Sequence, residues 1–505
     1  LSDPTPRVPT MTSEPTHELR AYRFALDLTK PQEELCRKHA GAARWAFNHA
    51  LAAKFAALDA RRTAIADLVA GGMDPKTAAA QAPKVPGKPA IQKALNEVKG
   101  DDRRGLDGLC PWWHELSTYA FQSAFADVDT AWSNWLGSVT GKRAGKRLGA
   151  PKFKSKHKSR DSFRIHHNVA KPSIRPDTGY RRIIVPRFGS LRVHDSTKRL
   201  SRALDRGAVI QSVTISRGGH RWYASILTKQ PAVPVVASQR QLRAGTVGVD
   251  IGVHHLAALS TGEIIDNPGH LRSGQKRLTK AQRALSRTEK GSQRRRRAAA
   301  KVGRRHHEIA ERRASTLHQL TKRLATEFAV VAVEDLNVAG MTRSAAGTID
   351  NPGKNVVQKS GLNRALLDVA PGELRRQVAY KTRWYGSTLA VCGRWVPTSQ
   401  LCSACGVRAK LTLADRIFRC AACGLTLDRD TNAAVNIAAL AVAVAPGTEE
   451  TRNARRAAAD PPPLVGTESV AALKREGHAS GVVTPAEQSA GHPKHADPAE
   501  YPLVS

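Results

Sequence analysis

The order of short apolar runs, basic helical stretches and cysteine pairs predicts an α/β multidomain chain. Three observations carry that expectation. Residues 246–250 and 328–334 are short, β-branched-rich runs that read as buried strands ending in Asp250 and Glu334. Two Cys-x-x-Cys pairs, Cys402/Cys405 and Cys420/Cys423, precede an Ala-rich helix that opens at Asp430. Lys and Arg number 80 against 43 Asp and Glu, a net charge of +37. An excess that large implies a polyanionic partner.

The elements follow in order. Residues 1–17, rich in Pro, Thr and Ser, read as a disordered leader. Residues 19–28 read as a strand, and Pro31 opens a helix to about residue 57, capped from Thr29. Residues 59–109 are Ala-, Gly- and Pro-rich, with one or two helices and a loop near 82–89. Residues 112–136 carry Trp113, Leu116, Ala120, Phe121, Ala124, Val128, Trp132 and Trp135 at helical spacing, a stripe best read as core.

Residues 142–164 hold ten Lys/Arg and one acid, interleaved with Phe153 and Phe163. Alternating bases and aromatics suit phosphate contact with base stacking, so this segment is expected to touch RNA, through Lys152, Phe153, Lys154 and Lys156. Strands are expected at 181–185, 191–194, 209–216 and 221–228, the last two joined across Gly218-Gly219. With the first strand they are expected to close a small barrel. Residues 231–245 read as a linker.

After the strand ending at Asp250, a return strand to Ser260 and a third near Ile264 make an antiparallel start. Residues 271–325 form a basic helical hairpin with 18 Lys/Arg and three acids, broken near 289–292. One-sided charge of this kind suits a nucleic-acid backbone, with Arg294, Arg295, Arg296, Arg297, Arg304 and Arg305 as contacts. A further strand is expected over 387–399. This is the ribonuclease H-like order, with a zinc module inserted before the last helix.

A lone acid at a strand end or helix start is an ordinary solvated or capping residue. Three in matching settings say more. Brought together without a cation they repel, and one takes up a proton. With two Mg²⁺ ions about 3.5–4 Å apart they form a clamp for in-line attack on a phosphodiester. Asp250, Glu334 and Asp430 are assigned that role, as catalytic residues and magnesium ligands. Asp335 and Asp428 are the neighbours most easily confused with them, and the preference rests on the resemblance below. Each cysteine pair is followed by glycine, Gly406 or Gly424, which permits the tight turn of a zinc knuckle. Four thiolates suit one closed, structural Zn²⁺. Cys36, Cys110 and Cys392 read as buried apolar residues. No apolar run reaches the roughly 18–20 residues needed to span a bilayer, so no membrane role is expected.

Several stretches resemble TnpB-type transposon nucleases and the compact type V CRISPR effectors of the Cas12 family. They are Val249-Asp-Ile-Gly252, Val333-Glu-Asp-Leu-Asn337, the two Cys-x-x-Cys-Gly pairs and Asp428-Arg-Asp-x-Asn-Ala-Ala-x-Asn-Ile437. Pro111-Trp-Trp-His-Glu-Leu-Ser117, Gly149-Ala-Pro-Lys-Phe-Lys-Ser-Lys156, Lys359-Ser-Gly-Leu-Asn-Arg364 and Tyr380-Lys-x-x-Trp-Tyr-Gly386 also agree. The resemblance covers roughly residues 18–440. It implies an RNA-guided DNA endonuclease with one RuvC site, using guide RNA to choose double-stranded target DNA beside a short flanking motif.

It further implies a first wedge strand (18–30), a helical recognition lobe (31–140), an oligonucleotide-binding-like wedge β-barrel (141–240), and a RuvC nuclease domain (241–397 and 428–445). A zinc-binding target nucleic-acid module is inserted at 398–427, and a disordered tail follows at 446–505. A cytoplasmic, prokaryotic setting is implied, with a monomer favoured. Residues 59–109 read as an insertion relative to compact transposon members, which leans towards a CRISPR effector. Two other readings stay open: an RNA-guided binder that cuts little, and an unguided transposon-associated nuclease.

Overall fold

A computed structural model describes residues 17–443, apart from 171, 233, 234 and 413. The leader and tail expected at 1–17 and 446–505 lie outside the described residues, His17 excepted. The described chain packs as two units, residues 17–232 and 235–443.

In the first unit, β1 (His17–Asp27) leads into α1 (Lys30–Ala70), α2 (Pro75–Gln81), α3 (Lys88–Val98) and α4 (Thr118–Val139). Thr29 and Gln32 cap α1 reciprocally, side chain to backbone in both directions. The helix runs past the expected end near 57 because residues 58–70 hold no Gly or Pro. Arg61 on that extension donates to the carbonyls of Ala79, Ala82 and Pro83, tying α2 and the following turn to it. There follow β2 (Ser162–His166), β3 (Arg175–Pro176), β4 (Arg182–Val185), β5 (Gly189–Val193), α5 (Lys198–Asp205), β6 (Val209–Gly218) and β7 (Arg221–Pro231).

The strands form one antiparallel sheet in the order β2-β6-β7-β1-β5-β4-β3. β1 serves two neighbours. Residues 17–25 pair with β7, and Leu26 and Asp27 pair with β5. Among the described residues the ladder does not join β2 to β3. One core holds the aromatic stripe of α4 (Phe121, Phe125, Trp132), α1 and the inner face of the sheet.

β2 corrects the reading of the basic segment. Phe163 and Ile165 point inward, and Phe163 stacks on Phe188 at 5.5 Å. Phe163 is therefore core and offers no ring to a base. The charge run hid a two-residue alternation.

In the second unit the expected linker contains α6 (Gln239–Ala244). Its buried Gln241 amide donates to the carbonyls of Ala325 and Tyr385. Then come β8 (Thr246–Asp250), β9 (His255–Leu259), β10 (Ile264–Asp266), α7 (His270–Ser286), α8 (Gln293–Glu327), β11 (Val330–Glu334), α9 (Val338–Met341), α10 (Val356–Val369), α11 (Pro371–Tyr385) and β12 (Thr388–Cys392). A small hairpin, β13 (Ile417–Arg419) with β14 (Thr426–Asp428), precedes α12 (Arg429–Ala443).

The main sheet has the order β10-β9-β8-β11-β12. β8 runs antiparallel to β9 and parallel to β11, which runs parallel to β12. Val247, Val249, Val331 and Val333 face a core with Leu317, Leu320 and Leu324 of α8 and Leu374 and Val378 of α11. Ala332 and Cys392 face the other side, where Ile437 and Ala441 of α12 cover them. β12 ends at Cys392, well short of the expected 399. Gly393 opens a turn, and Pro397 has no N–H to continue a ladder.

Candidate active site

Strand parity determines where the acids point. Side chains alternate across a sheet, so Gly248 and Asp250 share one face of β8, and Ala332 and Glu334 share one face of β11. That face is the one α12 covers. Val249 and Val333 are register partners on parallel strands, so Asp250 and Glu334 follow them at the same sheet edge.

α12 lies very close to β8. A Cβ built on Gly248 would come within 1.9 Å of the Ala434 carbonyl oxygen. Only glycine admits that approach, which brings Asp430, in the first turn of α12, to the ends of the two strands. Burial, then the charges of Glu334 and Asp430, push the Asp250 carboxyl up to about 7, against an opposing pull from Arg429. Glu334 and Asp430 thus both stand near enough to act on Asp250.

The two confusable neighbours have other duties. Asp428 Oδ1 accepts the backbone N–H groups of Asp430 and Thr431 at 3.0 and 2.9 Å, so Asp428 is the helix cap. Asp335 is gripped by Arg375 at 2.5 Å and by Arg394, whose Nε lies 3.0 Å away. Those guanidinium groups outweigh its burial and hold its carboxyl below the usual range.

Glu334 instead accepts the Thr398 hydroxyl at 2.5 Å. Asp430 Oδ1 meets Arg429 Nε and Nη2 at 3.2 and 3.1 Å. Sequence reasoning gave no role to Thr398, nor to Arg429 and the two asparagines of the motif around Asp430. Asn432 and Asn436, one helical turn apart on α12, donate to the carbonyls of Leu401 and Thr398 and fasten the chain entering the cysteine module. Their spacing inside Asp-x-Asn-x-x-x-Asn was the available signal.

The acid donors are hard oxygens, the kind Mg²⁺ takes. They do not all lie within 4.8 Å of one another, as the cysteine sulfurs do.

Cys402, Cys405, Cys420 and Cys423 meet as two matching knuckles. Cys402 N–H donates to Val407 O and Gly406 N–H to Cys402 O; Cys420 N–H donates to Leu425 O and Gly424 N–H to Cys420 O. Gly406 and Gly424 both have φ of 74°, the left-handed turn that glycine allows. The Cys402–Cys423 and Cys405–Cys420 sulfurs stand 3.5 Å apart. Tetrahedral Zn–S bonds of about 2.3 Å place sulfurs about 3.8 Å apart, so the set fits zinc. Backbone N–H groups, that of Cys423 first, draw the Cys420 thiol down to about 6. Cys36, Cys110 and Cys392 are buried, as expected.

A second group, Asp101, Asp102 and His114 in the first unit, is also compact. Arg103 already pairs with Asp101 and holds its carboxyl down to about 2.

The expected nucleic-acid contacts divide. Lys152, Phe153 and Lys156 are exposed. Lys154 folds inward, its ammonium 3.7 Å from the Phe47 ring centre, while its backbone N–H and carbonyl bond Asn48. On α8, Arg294, Arg296, Arg297 and Arg304 are exposed. Arg295 donates to the Leu285 and Thr288 carbonyls, closing the α7–α8 turn, and Arg305 pairs with Glu308. A cleft of about 770 Å³ opens beside the turn after β8, with Arg272, Arg364 and Arg416 on its wall. Among the described residues no helix is long and apolar enough to cross a membrane.

Comparison with known proteins agrees with these features. A family described as a probable transposase matches residues 228–345, and the Cas12f1-like TNB domain matches 372–437. A helix-turn-helix domain family matches 18–63, which here are β1 and most of α1. A Mycobacterium tuberculosis protein named as a candidate RNA-guided DNA endonuclease is 33% identical over 428 residues, 83% of this chain and 86% of its own. Relatives named in the same way come from Streptomyces pristinaespiralis and Escherichia coli K12. The first is 37% identical, covering 65% of this chain and 73% of its own; the second is 34% identical, covering 70% and 82%. Similarity at that level over most of both chains means that this chain belongs to the TnpB/Cas12-type RNA-guided nuclease family.

Proposed function

We propose that the chain is an RNA-guided DNA endonuclease in which one RuvC-type site, built from Asp250, Glu334 and Asp430, cuts both strands of a guide-paired target in sequence. The observation that carries this reading is the convergence of three acids on the α12 face of the sheet, with Asp250 raised to about 7 by burial and its two neighbours. The strand order, antiparallel then parallel with the acids at adjacent strand ends, supports the ribonuclease H-like assignment of residues 241–397 and 428–445.

Asp250, Glu334 and Asp430 would hold two Mg²⁺ ions, which supply charge neutralisation at the attacked phosphate and activation of water. The chain's own residues prepare that site. Gly248 admits α12, Asp428 caps it, Thr398 orients Glu334, and Arg375 with Arg394 withdraw Asp335 from competition. The four cysteines would hold one structural Zn²⁺ and fix the segment between β12 and α12.

In the first unit, the antiparallel sheet supports a partly open oligonucleotide-binding-like barrel, with α1–α4 as the recognition lobe. Guide RNA lies along exposed Lys152, Phe153 and Lys156 and along exposed Arg294, Arg296, Arg297 and Arg304, cations that a phosphate backbone would neutralise.

The test uses the full chain with the RNA that co-purifies at raised salt. That RNA is sequenced, and supercoiled plasmid bearing the matching target is added with Mg²⁺. Linearisation is expected for the wild type. Asp250→Ala is expected to bind the target in a guide-dependent way without cutting. An Asp250→Ala protein that still linearises plasmid removes the assignment, and wild-type binding without nicking favours a silencing role.

A further inference from the structure

Trp395 is 89% exposed, the most exposed aromatic side chain among the described residues. Its setting is firm. It lies in the turn after β12, closed by the Val396 N–H to the Gly393 carbonyl. One residue before it, Arg394 pairs with Asp335, the neighbour of Glu334. Three residues after it, Thr398 donates to Glu334 itself. Asn436 of α12 holds the Thr398 carbonyl from the far side. A large apolar ring is thus held in water on a turn anchored at both ends to the acid cluster, and three residues reach at most about 11 Å. The guanidinium groups of Arg375 and Arg394 both hold the Asp335 carboxylate at the foot of the turn.

A firmly held, exposed indole beside a phosphodiester-cutting site suits one occupant, a nucleobase with no pairing partner. Bases present an apolar π-face whatever their identity, so one ring can stack any of them. We infer that Trp395 is a stacking platform for an unpaired base of the DNA strand being cut, within a few nucleotides of the phosphate at the acids. This rests on the endonuclease reading above. Trp395 is a positioning residue. By stacking a base it stops the single strand sliding, so that a phosphate dwells in line with Asp250 and Glu334.

The test uses the full chain with its co-purified RNA, in EDTA so that nothing is cut. Two probes of equal length and charge are compared by fluorescence anisotropy, oligothymidylate and an oligomer of abasic residues. Stacking on one aromatic ring contributes roughly five- to 150-fold in affinity. Trp395→Ala is expected to weaken oligothymidylate binding by at least the lower figure and leave abasic binding unchanged, while Trp395→Phe keeps most of the preference. Equal losses on both probes, or none on either, overturn the proposal, and the latter is the outcome if the indole serves a protein partner. Cutting by Asp250→Ala would instead defeat the endonuclease reading and leave this base preference untouched, so the two failures are separable.

Discussion

Gly248 of β8 and Ala434 of α12 meet through backbone alone, with room for no Cβ between them. The contact sets the distance between the helix that carries Asp430 and the strand that carries Asp250. Gly248→Ala forces the helix away from the sheet. Overpacking of this kind typically costs about 1–3 kcal/mol, and more when the obstacle is backbone. A lower melting temperature is expected, with loss of cleavage even where the chain still folds. A variant that melts and cuts like wild type would show that α12 can shift freely.

The Thr398 hydroxyl on Glu334 separates orientation from mere presence of the acid. Hydrogen bonds to charged groups are worth about 1.5–3 kcal/mol, so Thr398→Val should slow cleavage roughly ten- to hundredfold. Thr398→Ser keeps the donor and should stay close to wild type. Rates measured across a Mg²⁺ titration check this, and equal rates for the two variants would remove the proposed role.

Asp250 titrates the fold as well as the site. Its carboxyl is raised from 3.8 to about 7 by burial and by Glu334 and Asp430. A raised acid contributes stability that is complete below its unfolded value and lost as pH climbs through the folded one. The Asp250 contribution to the stability of metal-free protein should therefore fall between pH 4 and pH 8, by on the order of 4 kcal/mol. Asp250→Asn should flatten that slope. Thermal melts in EDTA across this range decide it, and a steeper slope in the variant would reverse the sign argued here.

The four sulfurs predict one zinc per chain by elemental analysis. Zinc binding by small cysteine modules is worth on the order of 10 kcal/mol, so its removal should unfold residues around β13 and β14. Chelation, or Cys420→Ser, should expose this segment to protease and abolish cleavage while β8–β12 stay folded. Full activity at zero zinc content would leave the module without its expected task.

Neighbouring lysines of one basic run should behave differently. Lys154 packs over Phe47, whereas Lys152 and Lys156 face outward. Lys154→Ala should lower the melting temperature by removing a cation–π contact worth about 0.5–2 kcal/mol. Lys152→Ala and Lys156→Ala should leave melting alone and each reduce the salt dependence of RNA binding by about 0.7–0.9. The opposite pattern would exchange their roles.

Periodicity and residue chemistry alone determined much of this protein. Apolar runs ending in acids marked β8 and β11, the 3.6-residue stripe marked α4, and two Cys-x-x-Cys-Gly pairs marked a metal module. These are short-range signals, each contained within one element. What lay between elements was decided only by tertiary structure. That α12 brings Asp430 against the sheet, and that Asp335 is claimed by Arg375 and Arg394 while Glu334 is not, depend on groups many residues away. So do the inward turns of Phe163 and Lys154 within a run that reads as an RNA-contacting face. The physical reason is common to all of them. A side chain's charge and shape are local, but its partner is chosen by packing, and packing brings together residues that the linear chain keeps apart.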